Sequence, residues 1–294
     1  MKVLLTGSAG QLGQELVASR PQAFELIATS RSGGVGLLAL DLADAEACRE
    51  MVRTHRPDWV VNAGAYTAVD RAESEPDLAE AVNAGAPAAF SEALLETGGH
   101  LLQLSTDFVF AGQQGYPYRV DQQRNPLGIY GKSKAQGEDA VEQLLGPNRS
   151  TILRTCWVYG PVGRNFLLTM LRLHRERDQL KVVADQVGCP TSTDGLAKAC
   201  WAVVSRNIGG LHHWSDAGAA SWYDFAVAIG ELGVSKGLLQ RAARVHPILA
   251  AEYPTPAVRP SYSLLDCTVT RQALGLAGCH WRSAVDQVIA KVAA

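Results

Sequence analysis

Tyr130 and Lys134 stand four residues apart in the stretch NPLGIYGKSKAQGEDAVEQLL, residues 125–145. On a helix that spacing sets a phenol and an ammonium side by side on one surface. A Tyr packed beneath a solvated Lys has the same spacing, so the pair alone decides nothing. A third group changes the reading. HLLQLSTDFVFAG (100–112) reads as a strand with Ser105, Thr106 and Asp107 at its carboxyl end, and Tyr130 follows Thr106 by 24 residues. A hydroxyl at a strand end and a Tyr-x-x-x-Lys helix on the next element converge in the way that carbonyl reduction requires. Hydride arriving at a ketone carbon leaves an alkoxide that must take up a proton. A phenol with an ordinary pKa of about 10 is a poor acid near neutrality unless its phenolate is stabilised. A neighbouring ammonium would lower that pKa and hold a nicotinamide ribose, and the Thr106 hydroxyl would polarise the ketone oxygen.

Hydride needs a carrier, and the N-terminus offers a place for one. KVLLT (2–6) is a strand-like run followed directly by Gly7-Ser8-Ala9-Gly10-Gln11-Leu12-Gly13 and a helical stretch over Gln11–Ala18. Glycines there allow a tight turn and close backbone approach, and a helix N-terminus presents free N–H groups to a pyrophosphate. The spacing is G-x-x-G-x-x-G rather than G-x-G-x-x-G, and a plain strand-to-helix turn can be glycine-rich too. At the end of the second strand the chain reads Thr29-Ser30-Arg31-Ser32, with no acid to accept from the 2′-hydroxyl of NAD. A guanidinium between hydroxyls suits the 2′-phosphate of NADP, although an exposed loop Arg is also common. Asp41, with Leu42 beside it, is a candidate for the adenine pocket. Asn62-Ala63-Gly64-Ala65 after WVV is a run of small residues at a strand end, where a cofactor can lie against backbone, or a simple turn.

The elements that position these groups alternate. Strand-like runs at 2–6, 24–29, 58–64, 100–105 and 151–155 are separated by helical stretches near 11–18, 45–54, 78–95 and at Tyr130. Apolar runs bounded by Gly and Asn, each followed by a helix, predict parallel strands covered on both faces, a doubly wound, Rossmann-like α/β domain over 1–156. Beyond it the rhythm loosens into a smaller α/β substrate lobe over 157–294, with parts of about 180–206 expected to return to the first domain. Helices are predicted at 166–178, 193–205 and 221–233, strands at 180–184 and 211–214, and a loop at PTPAVRP (254–260). A net charge of −2 without basic runs argues against nucleic acid or an anionic membrane as partner. No apolar run reaches the length of a membrane span, and four residues between Lys2 and Gly7 are too few for a secretory leader. The six dispersed cysteines fit reduced thiols in a cytoplasmic protein rather than disulfides or a zinc site.

Taken together, LLTGSAGQLGQEL, VVNAGAYTAVDRAE, LSTDFVFAG, YGKSKAQGE, ILRTCWVYG, GRNF, VVADQVGCPT and RPSYSLLD resemble, in order and over nearly the whole chain, the dTDP-4-dehydrorhamnose reductase family of the extended short-chain dehydrogenase/reductase superfamily. The resemblance implies reduction of dTDP-4-dehydro-L-rhamnose to dTDP-L-rhamnose by NADPH, with NADH as a second candidate. It implies Thr106, Tyr130 and Lys134 as the catalytic set. Gly7, Gly10, Gln11 and Leu12 would lie under the pyrophosphate and Arg31 near the 2′-phosphate. Ala63, Gly64 and Ala65 would line the nicotinamide side, flanked by Tyr66. Asp107, Trp157, Asn165 and Arg259 would meet the substrate, Arg259 clamping its diphosphate. Tyr262 departs from the Asn often found there. Some members resemble metal-bridged dimers; Glu15 and Asp194 fall where two of the acids would be, but the C-terminal segment offers only Asp286, which speaks against a magnesium bridge. Monomer and homodimer both remain open. The other readings are a reductase of a different nucleotide-linked 4-keto-6-deoxy sugar, a non-catalytic NADP-binding regulatory subunit, and an epimerase or dehydratase. An intact Thr106, Tyr130 and Lys134 argue against the regulatory subunit, and a dehydratase needs more acid than Asp107 supplies.

Overall fold

Why the first strands carry no polar alternation is visible in where their side chains go. Leu4, Val60, Leu101 and Ile152 face one side of a sheet, and Val3, Leu5, Val61, Leu102 and Leu153 face the other; all are buried. The computed structural model describes residues 1–293. Six strands open the chain: β1 (Lys2–Thr6), β2 (Glu25–Ser30), β3 (Leu38–Ala39), β4 (Trp59–Asn62), β5 (His100–Thr106) and β6 (Ser150–Thr155). They are followed by β7 (Val158–Tyr159), β8 (Gln179–Val183), β9 (Val187–Gly188), β10 (Thr191–Ser192), β11 (Gly210–His213), β12 (Ala220–Ser221) and β13 (Arg244–Ile248). Seven of them form one parallel sheet in the order β11-β6-β5-β4-β1-β2-β3. The chain runs outward from β1 and then restarts at β4 on its other side, so the crevice at the carboxyl ends of β1 and β4 is the topological switch point where doubly wound sheets take their ligands.

Helices cover both faces. α1 (Gln11–Ala18) lies on one; α2 (Ala45–His55) is on the other. Two short turns, α3 (Val69–Ala72) and α4 (Pro76–Glu80), lead through a π-helical turn at Ala81–Gly85 into α5 (Ala86–Thr97). The single helix read over 78–95 is thus interrupted. α6 (Ile129–Leu144) carries the Tyr-x-x-x-Lys pair. After β6 the chain builds a second hydrophobic cluster around α7 (Phe166–Glu176), and then α8 (Thr193–Arg206) packs back on α1. α9 (Trp222–Ser235), α10 (Thr268–Leu274) and α11 (Trp281–Ala293) complete the order. Two pieces of the later chain therefore serve the first sheet, α8 and β11, whereas β8 pairs in parallel with β13 in the second cluster.

Candidate functional site

Gly7 closes β1 at φ +67°, and a Cβ there would come within 2.7 Å of the Gly64 backbone. At Gly13 a Cβ would reach 2.1 Å from the Gly7 carbonyl. Only glycines allow this turn to lie so close to the β4 end. Gly10 caps α1 without a side-chain acceptor, and the Gln11 and Leu12 N–H groups have no partner among the described residues. That leaves donors at a helix N-terminus facing the switch point, which fits a dinucleotide pyrophosphate. Leu42 presses against Gly64 from the β3 side. Arg31 and Asp41 hold each other at 3.1 Å, the arginine exposed and the aspartate half-exposed. The Ala43 N–H and Arg31 keep the Asp41 carboxyl below its usual range. A 2′-phosphate would have to share Arg31 with that carboxylate.

The loop after β4 is braced from two sides. Gly64 N donates to Thr6 Oγ1 at 3.1 Å. Asn83, in the π-helical turn, accepts from Tyr66 N and donates to Tyr66 O, each at 3.0 Å, and also donates to Ser133 of α6 at 3.1 Å. The wider turn brings the Asn83 carbonyl against Gly137, where a Cβ would stand 2.1 Å away. Such a turn inside a helix commonly marks a functional position. Ala65 lies between these two braces and Ala63 just before the first, and the Tyr66 hydroxyl is directed to Glu75 at 2.6 Å.

The three catalytic candidates do come together. Thr106 ends β5, its hydroxyl donating to Asp107 Oδ1 at 3.0 Å and accepting from Phe108 N at 3.2 Å. Tyr130 packs edge-on to Phe108. Burial pushes its phenol up to about 12, the Thr106 hydroxyl draws it back and the Asp107 charge adds to the rise. Lys134 is 4% exposed, and its Nζ donates to the Leu104 carbonyl at 2.6 Å. Burial brings this ammonium down to about 8. The expectation that Lys134 lowers the Tyr130 pKa is therefore not met: desolvation, the Thr106 hydroxyl and Asp107 account for the shift. The ammonium is turned to the strand end, and desolvation governs the phenol. Asp107 is buried and pushed up to about 6 by that burial, and its Oδ2 makes no hydrogen bond among the described residues.

Glu138, one turn beyond Lys134, is fully buried. Arg154 Nη2 reaches it at 2.6 Å, Arg124 Nη1 at 2.8 Å, and the Ser105 hydroxyl donates to it. Burial raises its carboxyl, but these partners more than reverse that, so it stays below the ordinary range. Neither Glu138, Arg154, Asn83 nor Gln103 was singled out from the sequence. Their signal was a polar residue inside an apolar strand or helix face, which must find a partner when buried.

On the far side of the crevice Trp157 follows β6 at φ +46°, a left-handed conformation outside any helix cap, and stacks on Trp222 with ring centroids 3.6 Å apart. Trp222, Phe166, Met170, Leu173, Val183 and Ile248 line a cavity of about 760 Å³, and Arg259 lies at its edge. Arg259 is not free there. Its two terminal nitrogens take both oxygens of Asp70, at 3.0 and 2.8 Å, and Asp70 also accepts from Ala257 N. Asn165 departs further from the substrate-facing role. Its Oδ1 caps α7 through Leu168 N at 3.0 Å, and its Nδ2 is spent on the Gly160 carbonyl and on Gln11 Oε1. A residue preceding a helix in GRNF is an N-cap first. Glu15 and Asp194 both face Lys291, at 3.8 and 3.7 Å, and Asp194 also holds Lys198. Asp286 pairs with Lys236. Each of these three carboxylates thus has an ammonium partner within this chain.

A Gly-rich turn at the switch point, with a buried Thr106 and Lys134 and a half-buried Tyr130 beside it, is the arrangement of a short-chain reductase. The family model described as RmlD substrate binding domain matches residues 1–294. The dTDP-4-dehydrorhamnose reductase of Sinorhizobium fredii is 38% identical over 296 residues, 98% of this chain and 97% of that protein. The chain belongs to the dTDP-4-dehydrorhamnose reductase family. It is an oxidoreductase of the extended short-chain type. Solved structures of family members agree over the full fold. The dTDP-4-dehydrorhamnose reductase of Clostridium acetobutylicum superposes with a TM-score of 0.90 at 36% identity, covering 98% of each chain. That of Bacillus anthracis, determined in complex with NADP, gives 0.89 at 32% identity and 99% of each chain. Among the described residues no helix is long and apolar enough to cross a membrane, and all six cysteines are free, five of them buried.

Proposed function

We propose that this protein reduces the 4-keto group of dTDP-4-dehydro-L-rhamnose to dTDP-L-rhamnose, with NADPH as the preferred reductant. The observation that carries the reading is the meeting of Thr106, Tyr130 and Lys134 beside the Gly7–Gly64 contact, at the one crevice where α1 offers unpaired N–H groups. Gln11 and Leu12 N–H would hold the pyrophosphate, Arg31 the 2′-phosphate, and Ala63 to Ala65 the nicotinamide face. NADPH bound there would supply the hydride.

The remaining steps belong to the chain. The Thr106 hydroxyl turns from Asp107 to the ketone oxygen and polarises it. Tyr130, whose buried phenol is protonated at neutral pH, gives its proton to that oxygen as negative charge develops. Lys134, cationic below about pH 8 and one helical turn from Tyr130, adds a positive charge that favours the phenolate that remains, so its help falls on the transition state rather than on the resting phenol. The 760 Å³ cavity beside the Trp157–Trp222 stack is of a size to take the nucleotide. Arg259 would exchange Asp70 for the diphosphate, a fork-shaped group for which a guanidinium is suited. The test is cofactor oxidation by the purified protein with a panel of dTDP-linked 4-keto-6-deoxy sugars, NADPH and NADH in parallel. Fastest turnover of the rhamnose precursor with NADPH supports the reading. Preference for another sugar replaces the substrate, and no oxidation with any of them removes the reductase.

A further inference from the structure

Three polar side chains cross the carboxyl end of the sheet in register. Thr6 of β1 is the pairing partner of Asn62 of β4, which is the partner of Gln103 of β5. All three are buried. Gly64 N donates to Thr6 Oγ1 at 3.1 Å, and Thr6 Oγ1 donates to Asn62 Oδ1 at 2.6 Å. Asn62 Nδ2 donates to Gln103 Oε1 at 2.7 Å, and Gln103 Nε2 donates to the Leu104 carbonyl at 2.8 Å. That carbonyl is the one that receives Lys134 Nζ at 2.6 Å.

The direction of this ladder is forced by its ends. A backbone carbonyl can only accept, so Gln103 must present its amide nitrogen to Leu104 and its oxygen to Asn62. Asn62 must then turn its own oxygen to Thr6. At the other end a backbone N–H can only donate, so the Thr6 oxygen accepts from Gly64 and its proton goes to Asn62. No member can flip without leaving a buried donor facing a donor, or an acceptor facing an acceptor. Buried chains of this kind strengthen each bond and hold a single arrangement. One end is the loop that lies on Gly7, and the other is the peptide that anchors the catalytic ammonium.

We infer that the Thr6–Asn62–Gln103 ladder is a positioning device for this reaction, fixing the Leu104 peptide, and through it Lys134, relative to the cofactor loop at Gly64. Gln103 is its key member, since it alone touches the peptide that holds the lysine. This rests on the proposed role of Lys134. Asn62 was noted in the sequence only for its small neighbours, and Gln103 as a polar residue in an apolar strand has no other buried partner that would require it.

The test is a double-mutant cycle on turnover, with melting temperature followed in every protein. Gln103→Met keeps the length and removes both side-chain hydrogen bonds. It is expected to lower kcat about tenfold with the Michaelis constants for sugar and NADPH within about twofold of the parent. In a Lys134→Met background the same change should cost less than about twofold, because the group it positions is gone. A merely structural residue would lower kcat equally in both backgrounds, and that result would overturn the inference. So would a folded Gln103→Met protein with parental kcat. Should Gln103→Met not fold, the far end serves instead. Thr6→Val, of the same shape, is expected to lower kcat about threefold, and Thr6→Ser to restore it; equal kcat for Val and Ser would overturn the ladder. Full activity of Lys134→Met would overturn the reading of the site itself, and the ladder's purpose with it.

Discussion

The two walls of the crevice are held in opposite ways. On the sheet side the charged and amide side chains behind the chemistry are tied to buried protein partners. Lys134 sits on Leu104, Glu138 on Arg154, Arg124 and Ser105, and Asn83 on Tyr66 and Ser133. On the lobe side apolar side chains such as Trp222, Phe166 and Met170 share the lining of a cavity with polar ones, and one of its two guanidinium groups, Arg259, is held by a half-exposed acid, Asp70. The difference follows from what each wall must do. Proton transfer tolerates little misplacement, so its groups are fixed in low-dielectric surroundings. Recognition of a diphosphate needs a charge that can change partners, and a partly solvated pair exchanges at little cost.

If this contrast is right, substitutions on the sheet wall change turnover or folding, and those on the lobe wall change Michaelis constants. The largest effect is expected at Tyr130→Phe. Rapid-mixing or steady-state kinetics should show turnover lower by roughly two to four orders of magnitude, the usual worth of a positioned acid, with NADPH binding kept. Parental turnover in the folded protein would end the proton-donor role.

Next comes Glu138→Gln, which strands Arg154 in a buried site. Breaking a buried pair costs about 3–5 kcal/mol, or on the order of 10 °C in melting temperature for a chain of this size. Because its folded pKa lies below the ordinary Glu value, Glu138 contributes stability that is present above about pH 4.3 and lost as pH falls through the folded pKa. The gap between parent and variant should therefore close on acidification. A gap independent of pH would mean that the lost packing, not the charge, matters.

A third effect is in the pH profile. Since kcat/KM reports the free enzyme, it should fall above about pH 8 as Lys134 loses its proton, and Lys134→Arg should shift that limb upward. A limb unmoved by this substitution would assign it to another group.

Smaller effects belong to the exchangeable charges. Arg259→Lys is expected to raise the Michaelis constant for the dTDP-sugar several-fold with little change in NADPH affinity, as a point charge replaces a fork. A rise for the cofactor alone would put this loop on the wrong wall. Arg31→Ala should weaken NADPH binding, measured by fluorescence titration, and leave NADH nearly unchanged. Equal losses for both would point to the pyrophosphate instead.

The same division decides how much was legible in the sequence. Periodicity located six of the seven strands of the main sheet within about two residues, because strands covered on both faces must be continuously apolar. It found the helices of the first half for the complementary reason. β3, the other two-residue strands β7, β9, β10 and β12, and β13 escaped: two residues carry no period, and RVHPI is half polar. The return of β11 to the first sheet is a long-range pairing that local pattern does not encode. Thr106, Tyr130 and Lys134 were legible because their types announce a chemistry. Glu138 and Gln103 were not, since their value lies only in what they touch. Asn165 and Arg259 were read as ligand contacts from motif position, whereas the chain itself had uses for both, a helix cap and an ion pair with Asp70.

The reductase reading as a whole is tested most directly by following the label in a single transfer. NADPH deuterated at the transferable position of its nicotinamide ring is incubated with the protein and dTDP-4-dehydro-L-rhamnose, and the product is analysed by NMR. One deuteron on C4 of the sugar, absent when Tyr130→Phe replaces the parent over the same time, is the predicted result. A product without deuterium at C4, or a deuterated product formed equally fast by Tyr130→Phe, would contradict it.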